Sequence, residues 1–123
     1  MKNMIFSLLL IPFFSAAQIV EWQEEQDYDF GILSQGQPEE IDFTFKNISS
    51  DTLFIDNVRS TCGCTAPYWK LSPILPDSTS QITIKYDSYK EGYFYKKIKV
   101  FFNKQQKAER LSISGEVLPS STP

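Results

Sequence analysis

With 123 residues, 15 acidic and 12 basic side chains and a net charge of −3, the chain has the size of one domain around one core, and its mild acidity argues against nucleic acid as a partner. It contains no histidine, which excludes Ser-His-Asp and Cys-His catalysis within one chain, because histidine is the usual general base near neutral pH. Its two cysteines lie one residue apart.

In chain order, residues 1–17 read as a secretory signal peptide. Lys2 supplies the positive start, Met4 to Phe14 the apolar stretch, and Ser15-Ala16-Ala17 a small-residue cleavage site. The apolar run is shorter than the ~20 residues that a membrane-spanning helix needs. Cleavage after Ala17 leaves Gln18 first, not the cysteine of a lipoprotein, and removes Met1 and Met4 with the leader. The expectation is a Sec-exported bacterial protein, periplasmic or secreted, with no membrane span after cleavage. Its single domain should run over 18–118, ahead of a disordered tail at 119–123.

Strict alternation of apolar and polar residues then dominates, the mark of half-buried strands. An opening strand passes through Tyr28-Asp29-Phe30, and Ile41, Phe43 and Phe45 alternate with Asp42, Thr44 and Lys46. Leu53 and Ile55 follow, with Val58 out of step, which predicts a bulge near Asp56-Asn57. Ile82, Ile84 and Tyr86 share one parity; so do Ile98, Val100 and Phe102, and then Leu111, Ile113, Gly115 and Val117. Turn chemistry punctuates these runs at Ser34 to Pro38, Asn47 to Asp51, Pro76-Asp77-Ser78 and Glu91-Gly92. Pro67, Pro73 and Pro76 keep Thr65 to Asp77 out of any central strand and make it a crossover between two sheets. No segment holds a helical period. The pattern predicts an all-β, immunoglobulin-like antiparallel β-sandwich of about seven strands, with Phe43, Phe45, Ile55, Ile84, Ile98, Val100 and Ile113 in its core.

Charge is unevenly spread. Residues 18–64 hold ten acidic side chains against Lys46 and Arg59, whereas residues 65–123 hold nine basic against five acidic. Lys96, Lys97, Lys99, Lys104, Lys107 and Arg110 lie close together, either as solvated surface charge or as a polyanion-binding ribbon. Tyr89, Tyr93 and Tyr95 stand among these lysines, where they could form a carbohydrate- or protein-binding face or pack across strands. The pairs Glu24-Glu25 and Glu39-Glu40 have no positional case for acid–base catalysis and read as solvated.

The run from Tyr28-Asp29-Phe30-Gly31-Ile32 to Leu111-Ser112-Ile113-Ser114-Gly115-Glu116-Val117 resembles the bacterial domain of unknown function numbered 1573. Between those ends the resemblance rests on Phe43-Thr44-Phe45-Lys46-Asn47, Pro73-Ile74-Leu75-Pro76 and above all Cys62-Gly63-Cys64-Thr65. It implies an immunoglobulin-type sandwich related to hydin-like and PapD-like domains, and it implies no activity. Asp77 departs from it, standing after the proline where the family usually has glycine.

Cys62 and Cys64 are the candidate chemical site, with Gly63, Thr65 and Trp69 as candidate supports. On a straight strand their Cα atoms would stand ~6.6–6.8 Å apart, the outer limit for a disulfide, so bridging requires a bend at Gly63. A strained bridge suits redox exchange. Two free thiolates suit Cu(I), whereas zinc would need further ligands such as Asp56 or a second chain. Alternatively both sulfurs simply pack, with Gly63 permitting an unusual backbone angle. Trp69 and Tyr68 either shield the sulfurs, present a binding surface or plug one end of the sandwich. The expected function is a non-enzymatic protein-interaction module of the cell envelope, with no cofactor. A small thiol-disulfide or Cu(I)-binding protein using Cys62 and Cys64 is the alternative.

Overall fold

The alternating apolar residues form eight strands in a computed structural model that describes residues 18–120. The signal-peptide reading of 1–17 and the last three residues of the expected tail lie outside that range. The strands are β1 (Val20–Trp22), β2 (Asp27–Ser34), β3 (Glu39–Asn47), β4 (Ile55–Ser60), β5 (Thr65–Trp69), β6 (Thr79–Tyr86), β7 (Gly92–Phe102) and β8 (Glu109–Leu118). They make two four-stranded sheets, one ordered β1-β3-β6-β5 and the other β2-β8-β7-β4.

Because side chains alternate across a strand, each run sends one parity inward. All seven residues expected in the core are buried, joined by Leu53, Val58, Ile74, Ile82, Phe102, Leu111 and Val117 among others. Phe45 links the layers. Its ring meets Trp22 of its own sheet and Phe102 of the opposite sheet, both at 5.3 Å between centroids. The bulge expected near Asp56-Asn57 is present as a register shift between Ile55 and Asn57. It returns Val58 to the inward face.

Three features depart from the expected sandwich. β1 was not anticipated, since three residues are too few to display a period. It is prolonged by Gln23 N–H donating to the Thr44 carbonyl at 2.9 Å and by the Glu24 carboxylate accepting Thr44 N–H at 2.7 Å. Glu24 is therefore a backbone partner and not a solvated charge. Thr65 to Trp69, expected within a crossover, form β5 at a sheet edge, where the missing N–H of Pro67 is tolerated. Finally, β2 pairs with β8 in parallel. The chain changes sheets between Trp22 and Asp27, so β2 arrives beside the last strand running the same way.

Two backbone positions yield predictions. A Cβ on Gly115 would lie 2.8 Å from the Gly31 carbonyl oxygen and 3.0 Å from the Phe94 ring. Gly115→Ala is expected to lose about 1–3 kcal/mol in a urea melt, the usual range for overpacking. Asp77 has φ 66°, the left-handed region that disfavours a Cβ, while its N–H donates to the Asn47 carbonyl at 2.8 Å. Glycine adopts that conformation at no steric cost. Asp77→Gly should raise the urea midpoint, by up to about 1 kcal/mol of stability.

Candidate functional site

β4 ends at Ser60 in one sheet and β5 begins at Thr65 in the other, so the four residues between them carry the chain across one side of the sandwich. Ser60 fixes the start of the crossing: its hydroxyl accepts Cys62 N–H at 3.2 Å and donates to the Cys62 carbonyl at 2.7 Å. Thr65 N–H donates to the same carbonyl at 3.2 Å, closing a turn with Gly63 and Cys64 at its centre. Cys64 N–H is directed at the Cys62 sulfur, 3.2 Å away, and Asp87 N–H donates to the Cys64 carbonyl at 3.1 Å. The turn is thereby tied to the end of β6. There the Tyr86 phenol is pushed above its usual pKa, chiefly by burial and secondarily by the adjacent Asp87 carboxylate.

This bend brings the two Cα atoms to 5.2 Å, and the sulfurs are joined in a disulfide. Gly63 is not in a left-handed conformation, and a Cβ there would meet nothing within 4 Å. The unusual angle envisaged for it is absent; hydrogen bonds to Cys62 make the bend. Both cysteines are half-buried, and Cys64 packs against the core. A shallow hollow of about 410 Å³ opens beside them, with Arg59, Thr61 and Pro67 in its wall.

A ring closed over three residues removes little freedom from the unfolded chain, about 1.6 kcal/mol in the chain-entropy description. The double variant Cys62→Ser/Cys64→Ser is expected to lose no more than about that amount, read as a small midpoint shift in urea. The bridge is a weak staple. In the bonded state it offers neither a nucleophilic thiolate nor a metal ligand. An external thiolate reaching the half-exposed sulfurs can open it to a mixed disulfide and one free thiol, and a second external thiol, leaving with the first as a disulfide, completes reduction to the dithiol.

The other candidate residues separate from the pair. Thr65 is buried at the turn, its hydroxyl 4.0 Å from the Cys64 sulfur. Trp69 pairs with Ile82 at the opposite end of β5, roughly 16 Å along an extended strand from Cys64. It therefore does not shield the sulfurs. It packs against the core, and its indole N–H is buried without a partner among the described residues. Tyr68, on the other parity, is 69% exposed. Asp56 stands near the far end of β4 and is not brought to the pair. Among the described residues no three His, Cys, Asp or Glu side chains are grouped to hold a metal ion.

Two residues, Asn47 and Arg59, had no clear signal in the sequence. Asn47 is fully buried and ties together the loops that follow β3 and precede β6. Arg59 joins Lys97, Lys99 and Arg110 on one sheet face, a juxtaposition that depends on strand register.

Residues 20–117 match the model of the family described as "Protein of unknown function (DUF1573)". Among solved structures the chain is similar to the ASH/PapD-like domain of human CEP192 (PapD-like domain 7), at 12% identity and TM-score 0.77, covering 98% of this chain and 100% of that one. It is also similar to a protein of unknown function from Porphyromonas gingivalis W83, at 18% identity and TM-score 0.69, covering 87% of this chain and 51% of that one. A third likeness is to the secreted serine protease VesC from Vibrio cholerae, at 12% identity and TM-score 0.61, covering 80% of this chain and 23% of the protease. At these identities the likenesses establish a PapD-like, immunoglobulin-like sandwich and no activity. No curated protein matches.

Proposed function

We propose, on the premise that this chain belongs to the DUF1573 family, an exported immunoglobulin-like module of the bacterial cell envelope that works by protein contact and not by catalysis. In this reading residues 1–17 direct export, and the domain acts in the periplasm or outside the cell. The observation that carries it is a run of exposed apolar side chains along β5 and its following loop: Tyr68, Leu71 and Leu75 are 69, 78 and 57% exposed. Three such residues within eight positions exceed ordinary scattered exposure and suit the apolar centre of a contact.

Strand addition is a poorer fit than a face or loop contact, because each sheet edge is blunted. β1 has three residues, β2 and β4 carry register shifts, and β5 contains Pro67. A photo-crosslinking residue placed at position 71 should capture a discrete envelope protein that one at position 107 does not, and Tyr68→Ala should abolish the capture. Identical capture from both positions would remove the assigned surface. Turnover of a substrate by purified protein, lost in Cys62→Ser, would end the non-enzymatic reading itself.

The bonded, half-exposed cysteine pair favours a second reading, thiol-disulfide exchange or Cu(I) capture after reduction. It expects thiol-specific mass labels at Cys62 and Cys64 only after mild reductant, or one Cu(I) retained per reduced chain. If the bond resists millimolar dithiothreitol in the folded protein and the chemically reduced form retains no copper, this reading is lost.

A further inference from the structure

We infer that the outer face of the β2-β8-β7-β4 sheet binds an oligosaccharide that carries acidic groups among neutral sugar rings. The outward parity of β7 carries Tyr93, Tyr95, Lys97, Lys99 and then Phe101; the first four, spaced ~6.8 Å apart, cover about 20 Å. Register divides this face into two chemically distinct halves.

The first half is cationic. Arg59 of β4 lies directly opposite Lys99, and Lys99 directly opposite Arg110 of β8, three cations in a row about 10 Å long. Lys97 is one step along. Like charges facing one another across strands are destabilising, and none of the four has an ion-pair partner among the described residues. Arg59 lies 5.6 Å from the Phe101 ring centre, a contact that leaves its charge uncompensated. A groove of about 810 Å³ runs over this half, with Ser60, Thr61 and Gln26 adding hydrogen-bonding groups to its wall. The acidic side chain in its lining, Asp27, is engaged by the Ser112 hydroxyl at 2.6 Å. A row of unneutralised cations in a groove of ligand size is a fold-level cost that an anionic ligand removes.

The second half is aromatic. Tyr93 and Tyr95 are 85% and 58% exposed, and their cross-strand neighbours are Glu116 and Ser114, so they do not pack against aromatic partners. Beyond them on β2 lie Ile32, 69% exposed, and Asp29. Exposed tyrosines offer apolar ring faces to the C–H side of a sugar, and the neighbouring carboxylates and serine accept or donate to its hydroxyls. Asp29 and Glu116 also decide what cannot lie there. A strand of nucleic acid, charged at every repeat, would be repelled at the tyrosines. A glycan can place neutral rings over Tyr93 and Tyr95 and its carboxylate or sulfate over Lys99. This face is separate from the β5 loop proposed for protein contact, so either assignment can fail alone.

The test is isothermal titration of the purified domain with three hexasaccharides: hyaluronan (a carboxylate on alternate rings), chondroitin 4-sulfate (a charge on every ring) and chitohexaose (neutral). Hyaluronan should bind roughly tenfold more tightly than chitohexaose, weakening as salt screens the cations. Chondroitin 4-sulfate, charged on every ring, should bind more weakly than hyaluronan, and tighter binding of it would overturn the requirement for neutral rings at the tyrosines. Arg59→Ala/Lys99→Ala/Arg110→Ala should abolish the acidic preference while raising or preserving the urea midpoint, since it relieves facing like charges. Tyr93→Ala/Tyr95→Ala should reduce affinity several-fold at an unchanged midpoint, and Lys107→Ala should change nothing. Absence of binding at millimolar ligand overturns the inference. So does equal affinity for decathymidylate or poly-glutamate with no loss in the tyrosine variant, which would define a general polyanion patch.

Discussion

Phe45→Ala is expected to lower stability by about 3–5 kcal/mol, the usual cost of emptying a buried phenylalanine site. The site offers little chance of collapse. Phe45 is fully buried, holds Trp22 on its own sheet and meets Phe102 edge-on from the opposite sheet. Its loss opens a void between two layers whose backbones are each fixed by their own hydrogen bonds. The deficit is a large share of the roughly 5–15 kcal/mol that holds a domain folded. Lys46→Ala, one residue along and on the outward parity, should shift the urea midpoint by less than about 0.5 kcal/mol. Equal midpoints for the two variants would mean that the strand register is wrong.

That contrast can be posed from the sequence because period two is a local property. Where a strand had at least three alternating pairs, as in β3, β6 and β7, its inward residues were legible without coordinates. Even the β4 bulge showed, since Val58 broke the parity set by Ile55. β1 was illegible because Val20 and Trp22 alone define no period, and the contact that prolongs it, the Glu24 side chain reaching Thr44, lies outside the strand. β5 was obscured by Pro67, which rules out a central strand but not an edge.

The candidate sites divide along the same line. The bend at the cysteines follows from two sulfurs one residue apart, and a local argument found it. What local reasoning could not give was the agent of the bend, Ser60, or the distance from Cys64 to Trp69, which required knowing that β5 is extended. The row Arg59–Lys99–Arg110 was still further out of reach. Its members are up to 51 positions apart in sequence, and only the two registers flanking β7 align them. The lysine-rich composition of the second half was visible, but Arg59 lies in the acidic half.

Asn47 belongs with the features that only tertiary structure reveals, and its replacement by alanine is expected to cost about 3 kcal/mol. At the end of β3 the side chain is fully buried, so each polar atom must find a partner within the protein. Its amide nitrogen donates to the Asp51 carbonyl at 2.8 Å and to the Ile74 carbonyl at 2.9 Å. Its oxygen accepts Ser49 N–H at 2.9 Å and the Ser49 hydroxyl at 2.7 Å. Its backbone meanwhile bonds Ser78 and Asp77. One residue thus holds the loop after β3 against the loop before β6, across 27 positions of chain. Alanine deletes four hydrogen bonds and leaves the Asp51 carbonyl and Ser49 N–H to find water at the rim of a dry core. Asn47→Asp should do no better at pH 7, because a buried carboxylate cannot donate to two carbonyls and would face them as a charge. Ser50→Ala, in the same loop but exposed, should stay within about 0.5 kcal/mol of the parent. Hydrogen exchange adds a positional check: Asn47→Ala should speed exchange at Leu53 and Ile74, whose paired amides close the adjoining bridge, well before it touches β7 and β8. If Asn47→Ala melts with Ser50→Ala and leaves those two amides protected, the loops are held by the bridge alone and the asparagine is a bystander.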